Sequence, residues 1–83
     1  MPSMPTILRQ NGFAVKIPVH DHLPPHVHVR KAGAELVVNL GDESTQPSTR
    51  ENHRMTTAEK LKALRIVAQH RDRLLNEWRK IHG

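Results

Sequence analysis

The chain has 83 residues, no cysteine and a formal net charge of +5 with its histidines counted as neutral. A chain of this length forms one small domain, residues 1–83, with a thin core. The lack of cysteine excludes disulfides and thiolate metal sites. One Phe, one Trp and no Tyr argue against a base-stacking platform for single-stranded nucleic acid.

No apolar run in the sequence is long enough to cross a membrane, and the N-terminus lacks the apolar segment of a signal peptide. We therefore predict a cytoplasmic protein without a membrane partner. The positive charge predicts attraction to RNA or DNA. Ordinary surface charge for solubility is the alternative explanation.

The first predicted element is a β-hairpin over residues 6–18. Asn11 and Gly12 form its two-residue turn, because both residues accept the positive φ angles that such turns require. This turn pairs Leu8 with Val15 and Thr6 with Ile17.

A second hairpin is predicted over residues 26–40, with its turn at Ala32 and Gly33. A two-residue loop pairs Arg30 with Glu35, and the alternation of side chains then places most of the apolar residues on one face and the histidines on the other. We expect Val27, Val29, Leu36 and Val38 on the core face, and His26 and His28 with Val37 on the opposite, exposed face.

The rest of the chain is predicted to form a mobile polar loop over residues 41–55 and a helix over residues 56–82. Thr56 and Glu59 fit a capping box at the helix start. Such a helix would be about 39 Å long, which exceeds the width of a four-stranded sheet, so it overhangs the sheet or breaks. The prediction is a two-layer α+β fold: a small antiparallel sheet of about four strands, made of two hairpins, packed on a long C-terminal helix.

The segment HDHLPPHVHV, which begins at residue 20, holds four of the seven histidines. Its two prolines stiffen the link between His22 and His26. His26 and His28 are two residues apart on a strand, so their rings project from one face. His22 or His20 is the candidate third ligand of a metal such as zinc, nickel, copper or iron, and Asp21 is a further ligand or a partner that orients a histidine.

The same three histidines are also candidates for catalysis without a metal. A histidine serves as general acid or base near neutral pH. Beside Arg9 and Arg30, the histidines could act on a phosphodiester. Solvent-exposed polar residues without a special role are the third interpretation.

The chain resembles the small bacterial proteins of the domain of unknown function 4160 family. The resemblance covers nearly the whole chain and rests on MPTILRQNGF (4–13), DHLPPHVHV (21–29), AELVVNL (34–40) and the ending W-x-x-x-H-G (78–83). The central family pattern is matched by Asp21, His22, Pro24, Pro25, His26 and His28. His20 is outside this pattern, and the polar segment 41–55 stands where the family often has a short strand and turn.

The resemblance implies a component of a toxin–antitoxin-like module, held by a small cognate protein partner. We predict binding of nucleic acid or of that partner through a His/Arg-lined surface. Its candidate binding residues are Asp21, Arg9, Arg30, Lys62, Arg65 and Arg73. The alternatives are a metal-binding protein and a metal-independent ribonuclease, each using His22, His26 and His28. The sequence leaves open whether the protein is an enzyme and whether it forms a homodimer.

Overall fold

The computed structural model describes residues 4–83 and contains five β-strands followed by two α-helices. In chain order the elements are β1 (Thr6–Gln10), β2 (Phe13–Lys16), β3 (His26–Lys31), β4 (Ala34–Asn39), β5 (Ser48–His53), α1 (Thr57–Gln69) and α2 (Arg71–His82). The strands form one antiparallel sheet in the order β1-β2-β3-β4-β5. The α+β prediction is confirmed, with five strands rather than four.

The first hairpin turns at the predicted position. Asn11 and Gly12 have φ angles of 53° and 83°, as a tight hairpin turn requires. The predicted pairing continues from the turn until the register shifts near the start of β1, where Thr6 pairs with Lys16 rather than with Ile17.

The second hairpin has the predicted register throughout. Its pairs include His26↔Asn39, Val27↔Val38, His28↔Val37, Val29↔Leu36 and Arg30↔Glu35. Because side chains alternate along a strand, this register separates the core-facing Val27, Val29, Leu36 and Val38 from His26 and His28. Val37, which is also buried, lies on the face of the histidines. The face that carries His28 and Arg30 is called the polar face below.

The prediction of a loop over residues 41–55 is wrong for its second half, since β5 lies there. All six residues of β5 are exposed, and the strand pairs with β4 with a register shift between Val37 and Val38. An edge strand with no buried face lacks the apolar alternation by which strands are recognised in sequence. Its order comes from backbone pairing rather than from side-chain burial.

The helical region starts as predicted. The Thr56 hydroxyl accepts a hydrogen bond from the backbone nitrogen of Glu59 at 3.1 Å, and the Glu59 carboxylate accepts one from the backbone nitrogen of Thr56 at 2.9 Å. This is the reciprocal pattern of a capping box. It fixes the point at which the chain leaves β5 and crosses the sheet.

The predicted helix 56–82 is divided in two at His70, where φ is −113° and ψ is 18°. The His70 side chain lies 2.9 Å from the Gln10 side-chain oxygen, at the end of β1. A straight helix of this length would extend beyond the sheet, whereas the break lets α2 pack Leu74 and Trp78 into the core.

The core lies between the sheet and the helices. Its fully buried side chains include Phe13, Val15, Ile17, Val27, Val29, Leu36, Val38, Leu40, Val67 and Leu74. The exposed edge of β1 is covered in part, because Arg73 on α2 donates a hydrogen bond to the Ile7 carbonyl at 3.1 Å. No helix formed by residues 4–83 is long and apolar enough to span a lipid bilayer.

Candidate metal centre

The segment that follows β2 returns to the start of β3 and carries Asp21 with it. Pro24 and Pro25 restrict its backbone, and the Leu23–Pro24 peptide bond is cis. The Pro25 carbonyl accepts a hydrogen bond from the Leu40 nitrogen at 3.0 Å, which anchors the segment to the end of β4. The segment therefore reaches β3 in a fixed position beside His26.

His26 is buried, with 1% of its surface exposed. Its Nδ1 lies 2.9 Å from the Pro24 carbonyl oxygen and its Nε2 lies 2.9 Å from Asp21 Oδ2. Its ring packs against Trp78 with 5.1 Å between ring centroids. Both nitrogens thus face oxygen atoms while the ring itself is held in the protein interior.

His28 lies beside His26 on the polar face, with 5.9 Å between the ring centroids. Its Nδ1 is 3.1 Å from Glu35 Oε1, and its Nε2 is 3.9 Å from Asp21 Oδ2. Both ring nitrogens are buried, and neither makes a well-aligned hydrogen bond with any residue from 4 to 83. A buried polar group in this state calls for a further partner.

Glu35 is itself held in place by Arg30, whose Nε donates to Glu35 Oε2 at 2.6 Å. Burial of Glu35 favours the neutral acid, but the contacts with Arg30 and His28 outweigh it and hold the pKa of Glu35 below its usual value. Glu35 is therefore a carboxylate, with Oε2 bonded to Arg30 and Oε1 facing His28 Nδ1.

Asp21 also carries a negative charge at neutral pH. The hydrogen bond with His26 lowers the pKa of Asp21 and outweighs the opposing effect of burial, and the charges of His26, His28 and Arg50 act in the same direction as the hydrogen bond. Half of the Asp21 side-chain surface is exposed. The carboxylate is thus ionised and reachable from solvent.

One oxygen of Asp21 and one nitrogen from each of His26 and His28 lie within 4.8 Å of one another. In a tetrahedral zinc site with bonds of about 2.0–2.1 Å, neighbouring ligand atoms are about 3.3 Å apart. The separations of 2.9 and 3.9 Å from Asp21 to the two rings lie on either side of that value. Two imidazoles and one carboxylate are ligands that suit zinc, nickel or iron.

A shallow depression of about 400 Å³ opens beside this group and is lined by Asp21, His22, Leu23, Trp78 and His82. The His82 ring stacks on Trp78 at 3.8 Å, as their spacing of four residues allows, and its Nε2 lies 2.7 Å from the Pro18 carbonyl oxygen. The end of α2 is thereby fixed against the segment that carries Asp21.

The sequence model of the family described as Domain of unknown function (DUF4160) matches residues 12–79. The chain belongs to the DUF4160 family. No curated protein and no solved structure matches the chain. The matched range includes Asp21, both histidines of the group, Glu35 and Trp78.

Of the three histidines proposed from the sequence of this DUF4160 chain, the structure brings His26 and His28 together with Asp21. His22 is exposed and lies outside this group of three, although it lines the adjacent depression. The geometric partner of the two rings is therefore the aspartate rather than the third histidine.

The predicted binding residues are divided between two sides of the sheet. Arg9 on β1 and Arg30 on β3 both pair with Ala14 of β2, which lies between them. The two arginines therefore share the polar face, with one strand between them. Lys62 and Arg65 lie on α1, on the other side of the sheet. Arg73, as described above, holds the edge of β1.

The expectation that His26 lies on an exposed face is wrong. The register is as predicted, but the His26 ring packs against Trp78 and contacts Asp21, and it is buried. Burial of a strand face depends on what the rest of the chain places over it, which alternation along one strand does not reveal.

Sequence reasoning missed the contact of Glu35 with His28. The signal was present, because the predicted pairing of Arg30 with Glu35 makes His28 a diagonal neighbour of Glu35, within reach of a long side chain. The positions of Trp78 and Arg50 near the group had no comparable signal, since they depend on the packing of α2 and on β5.

Proposed function

We propose that this DUF4160 protein binds a divalent transition metal through Asp21 Oδ2, His26 Nε2 and His28 Nε2. Zinc, nickel and iron suit the set of donors. Other ligands, such as water or a bound molecule, would complete the coordination on the side of the half-exposed Asp21.

The observation that carries the proposal is the orientation of the two rings. Nδ1 of His26 lies 2.9 Å from a backbone carbonyl oxygen and Nδ1 of His28 lies 3.1 Å from a carboxylate oxygen, positions that favour a hydrogen on each Nδ1. With that tautomer the lone pairs of both rings are on the Nε2 atoms, which face Asp21. Metal-ligating histidines usually have this arrangement, with the second nitrogen donating to a carbonyl or carboxylate.

The contact between His26 Nε2 and Asp21 Oδ2 supports the same conclusion. Two lone-pair-bearing atoms 2.9 Å apart repel each other unless a proton or a cation lies between them. A metal ion would satisfy this pair and His28 Nε2 at once, whereas a single proton on His26 leaves His28 without a partner.

Elemental analysis of protein purified without an affinity tag tests the proposal. We expect one equivalent of zinc, nickel or iron per chain, or uptake of one equivalent after removal of metal and titration with Zn²⁺. The double variant Asp21→Asn/His28→Gln should no longer bind metal. The control variant His53→Gln, which changes an exposed histidine of β5, should bind metal like the wild-type protein. Absence of uptake at micromolar Zn²⁺ by the wild-type protein would refute the metal centre.

A second candidate function follows if a proton, rather than a metal, lies between His26 and Asp21. His26 then donates its Nε2 hydrogen to Asp21 and lies beside His28, whose Nε2 has no hydrogen-bond partner. One histidine would take the proton from a ribose 2′-hydroxyl as its oxygen attacks the phosphorus, and the other would protonate the leaving 5′-oxygen. Cleavage of RNA in EDTA, lost in His28→Gln, is the expected result for this candidate; its absence rules the candidate out.

The family resemblance supports a place for either chemistry in a toxin–antitoxin-like module, in which a small cognate protein controls the site. The expected result is slowed growth of cells that express the chain alone and normal growth with Asp21→Asn/His28→Gln. Equal growth of both strains would contradict this role without affecting the metal measurement.

A further inference from the structure

A second site lies at the far end of β3, between the turn of the first hairpin and α1. We call it the basic groove, and its lining residues are Gln10, Asn11, Phe13, Lys31, Lys62, Arg65, Ile66 and Gln69. Three of these residues are cations, and none is an anion. The groove thus concentrates positive charge on one surface of a chain whose net charge is +5.

Lys31 is the cation that the structure adds to those proposed from the sequence. Its Nζ lies 4.7 Å from the centre of the Phe13 ring, which holds the charge over an aromatic face. Phe13 is itself buried, with 1% exposed. The ring therefore forms the floor of the groove and positions the lysine without offering a surface on which a base could stack.

Lys62 and Arg65 provide the other wall. They are three residues apart on α1, so their side chains are neighbours on one face of the helix. None of the three cations forms an ion pair with any residue from 4 to 83. The charges of Lys31 and Lys62 act on Glu59, whose carboxylate already accepts a hydrogen bond in the capping box.

We propose that the basic groove binds the phosphodiester backbone of a nucleic acid. Unpaired lysines and an arginine supply charge to phosphates, and the side-chain amides of Asn11 and Gln69 supply donors for additional hydrogen bonds. Because the only aromatic ring in the groove is buried, recognition is by the backbone and is independent of base sequence.

The groove is separate from the metal centre. Lys31 is five residues beyond His26 on β3, about 16 Å along the strand. Binding in the groove therefore requires no metal, and its test is made on protein stripped with EDTA. Failure of the metal proposal would leave this one standing, and the reverse holds as well.

The salt dependence of binding tests the proposal. We would titrate the stripped protein into a fluorescent 20-nucleotide RNA single strand and a 20-base-pair DNA duplex, at 50–200 mM salt. Neutralisation of three phosphates gives a slope of log K against log[salt] of about −2 for the single strand and about −3 for the duplex, or roughly 20- to 40-fold weaker binding over this range. The two arms show which nucleic acid is preferred.

Two double variants with the same change in charge locate the site. Lys62→Ala/Arg65→Ala should reduce the slope to about −1 and weaken binding at 50 mM salt more than tenfold. Arg79→Ala/Lys80→Ala removes two exposed cations of α2 outside the groove and should change affinity less than twofold. Circular dichroism checks that both variants are folded.

Two results would overturn the proposal. One is the absence of binding by the wild-type protein at 50 mM salt. The other is an equal loss of affinity in both double variants, which would mean that net charge alone is responsible. As a finer test, Lys31→Gln, which keeps the stem of the side chain over Phe13, should lower the slope by about one unit.

Discussion

The two ends of β3 carry two kinds of polar site. At the start of the strand, His26 and His28 are enclosed, and three of their four ring nitrogens lie within 3.1 Å of an oxygen atom. At the end of the strand, Lys31 belongs to an open groove in which the cations have no ionic partners among the described residues. Both sites depend on the register of the same strand.

The difference between the ends follows from burial. A polar group that is removed from water must have its hydrogen bonds supplied by the protein, so the histidine end is fixed in position before any ligand arrives. The groove keeps its cations hydrated, so its affinity depends on the number of charges and on salt. The histidine end is suited to a ligand that requires donor atoms in a fixed geometry. The groove end is suited to a ligand that binds mainly through its negative charge.

The largest expected effect is that of His26→Ala. It removes a buried ring packed on Trp78 and leaves the Asp21 carboxylate without its partner, so we expect a loss of about 3 kcal/mol in the free energy of unfolding, as for other large-to-small changes in a core. Urea unfolding measures it. The exposed His53→Ala should stay within about 0.5 kcal/mol of wild type. Equal stability of both variants would mean that the histidine end is not a fixed part of the core.

The second effect concerns the residue that orients His28. Glu35→Gln removes the charge that faces Nδ1, and loss of such a partner typically weakens metal binding 10- to 100-fold. Competition with a chelator of known affinity measures it. Glu51→Gln, on the neighbouring strand, changes charge equally and should leave the affinity within threefold. If Glu35→Gln binds metal as tightly as Glu51→Gln, Glu35 has no role in the centre.

A smaller effect is expected at the groove end, in the pH dependence of stability. The hydrogen bond from the Thr56 backbone lowers the pKa of Glu59, and the charges of Lys31 and Lys62 act in the same direction. Because the folded pKa is below the unfolded one, the unfolded state takes up more protons as the pH falls below about 5. Stability from Glu59 is therefore present at neutral pH and lost in acid.

Glu59→Gln isolates this contribution, because the amide oxygen still accepts the hydrogen bond but does not titrate. Between pH 5 and pH 3, the wild-type protein should lose more stability than the variant in urea unfolding. Identical losses would show that the capping carboxylate does not contribute to acid sensitivity.

The smallest effect is expected for His22→Ala. His22 is exposed and outside the group formed by Asp21, His26 and His28, so metal affinity should change less than twofold. The chelator competition used for Glu35 measures it. A loss of tenfold or more would show that the Asp21 segment rearranges so that His22 becomes a ligand, and would make the histidine end less rigid than its buried contacts indicate.

Local rules predicted much of this molecule. The Asn11–Gly12 turn, the register of the second hairpin and the capping box at Thr56 depend on neighbours in sequence, and all three are present. The period of two along a strand also placed His26 and His28 on one face. These features need no knowledge of what packs over them.

Features that depend on packing between segments far apart in the chain could not be predicted from the sequence. The spacing of apolar residues along one continuous helix places Leu61 on the apolar face and Ile66 on the polar face, yet Leu61 is 56% exposed and Ile66 is 3% exposed. The division at His70, stabilised by contact with Gln10, changes which residues face the sheet. In the same way, burial of His26 depends on Trp78 in the second half of α2, more than fifty residues further along the chain.

The exposed outer strand, β5, bears on how the protein behaves at high concentration. An unpaired strand edge invites other chains to add to the sheet, and natural proteins discourage this with charges and irregular register. Here β5 carries Arg50 and Glu51 on a strand with no buried residue, and the pairing behind it is interrupted between Val37 and Val38. The lack of an apolar face makes β5 hard to recognise in the sequence. The same lack makes β5 a poor template for the growth of fibres.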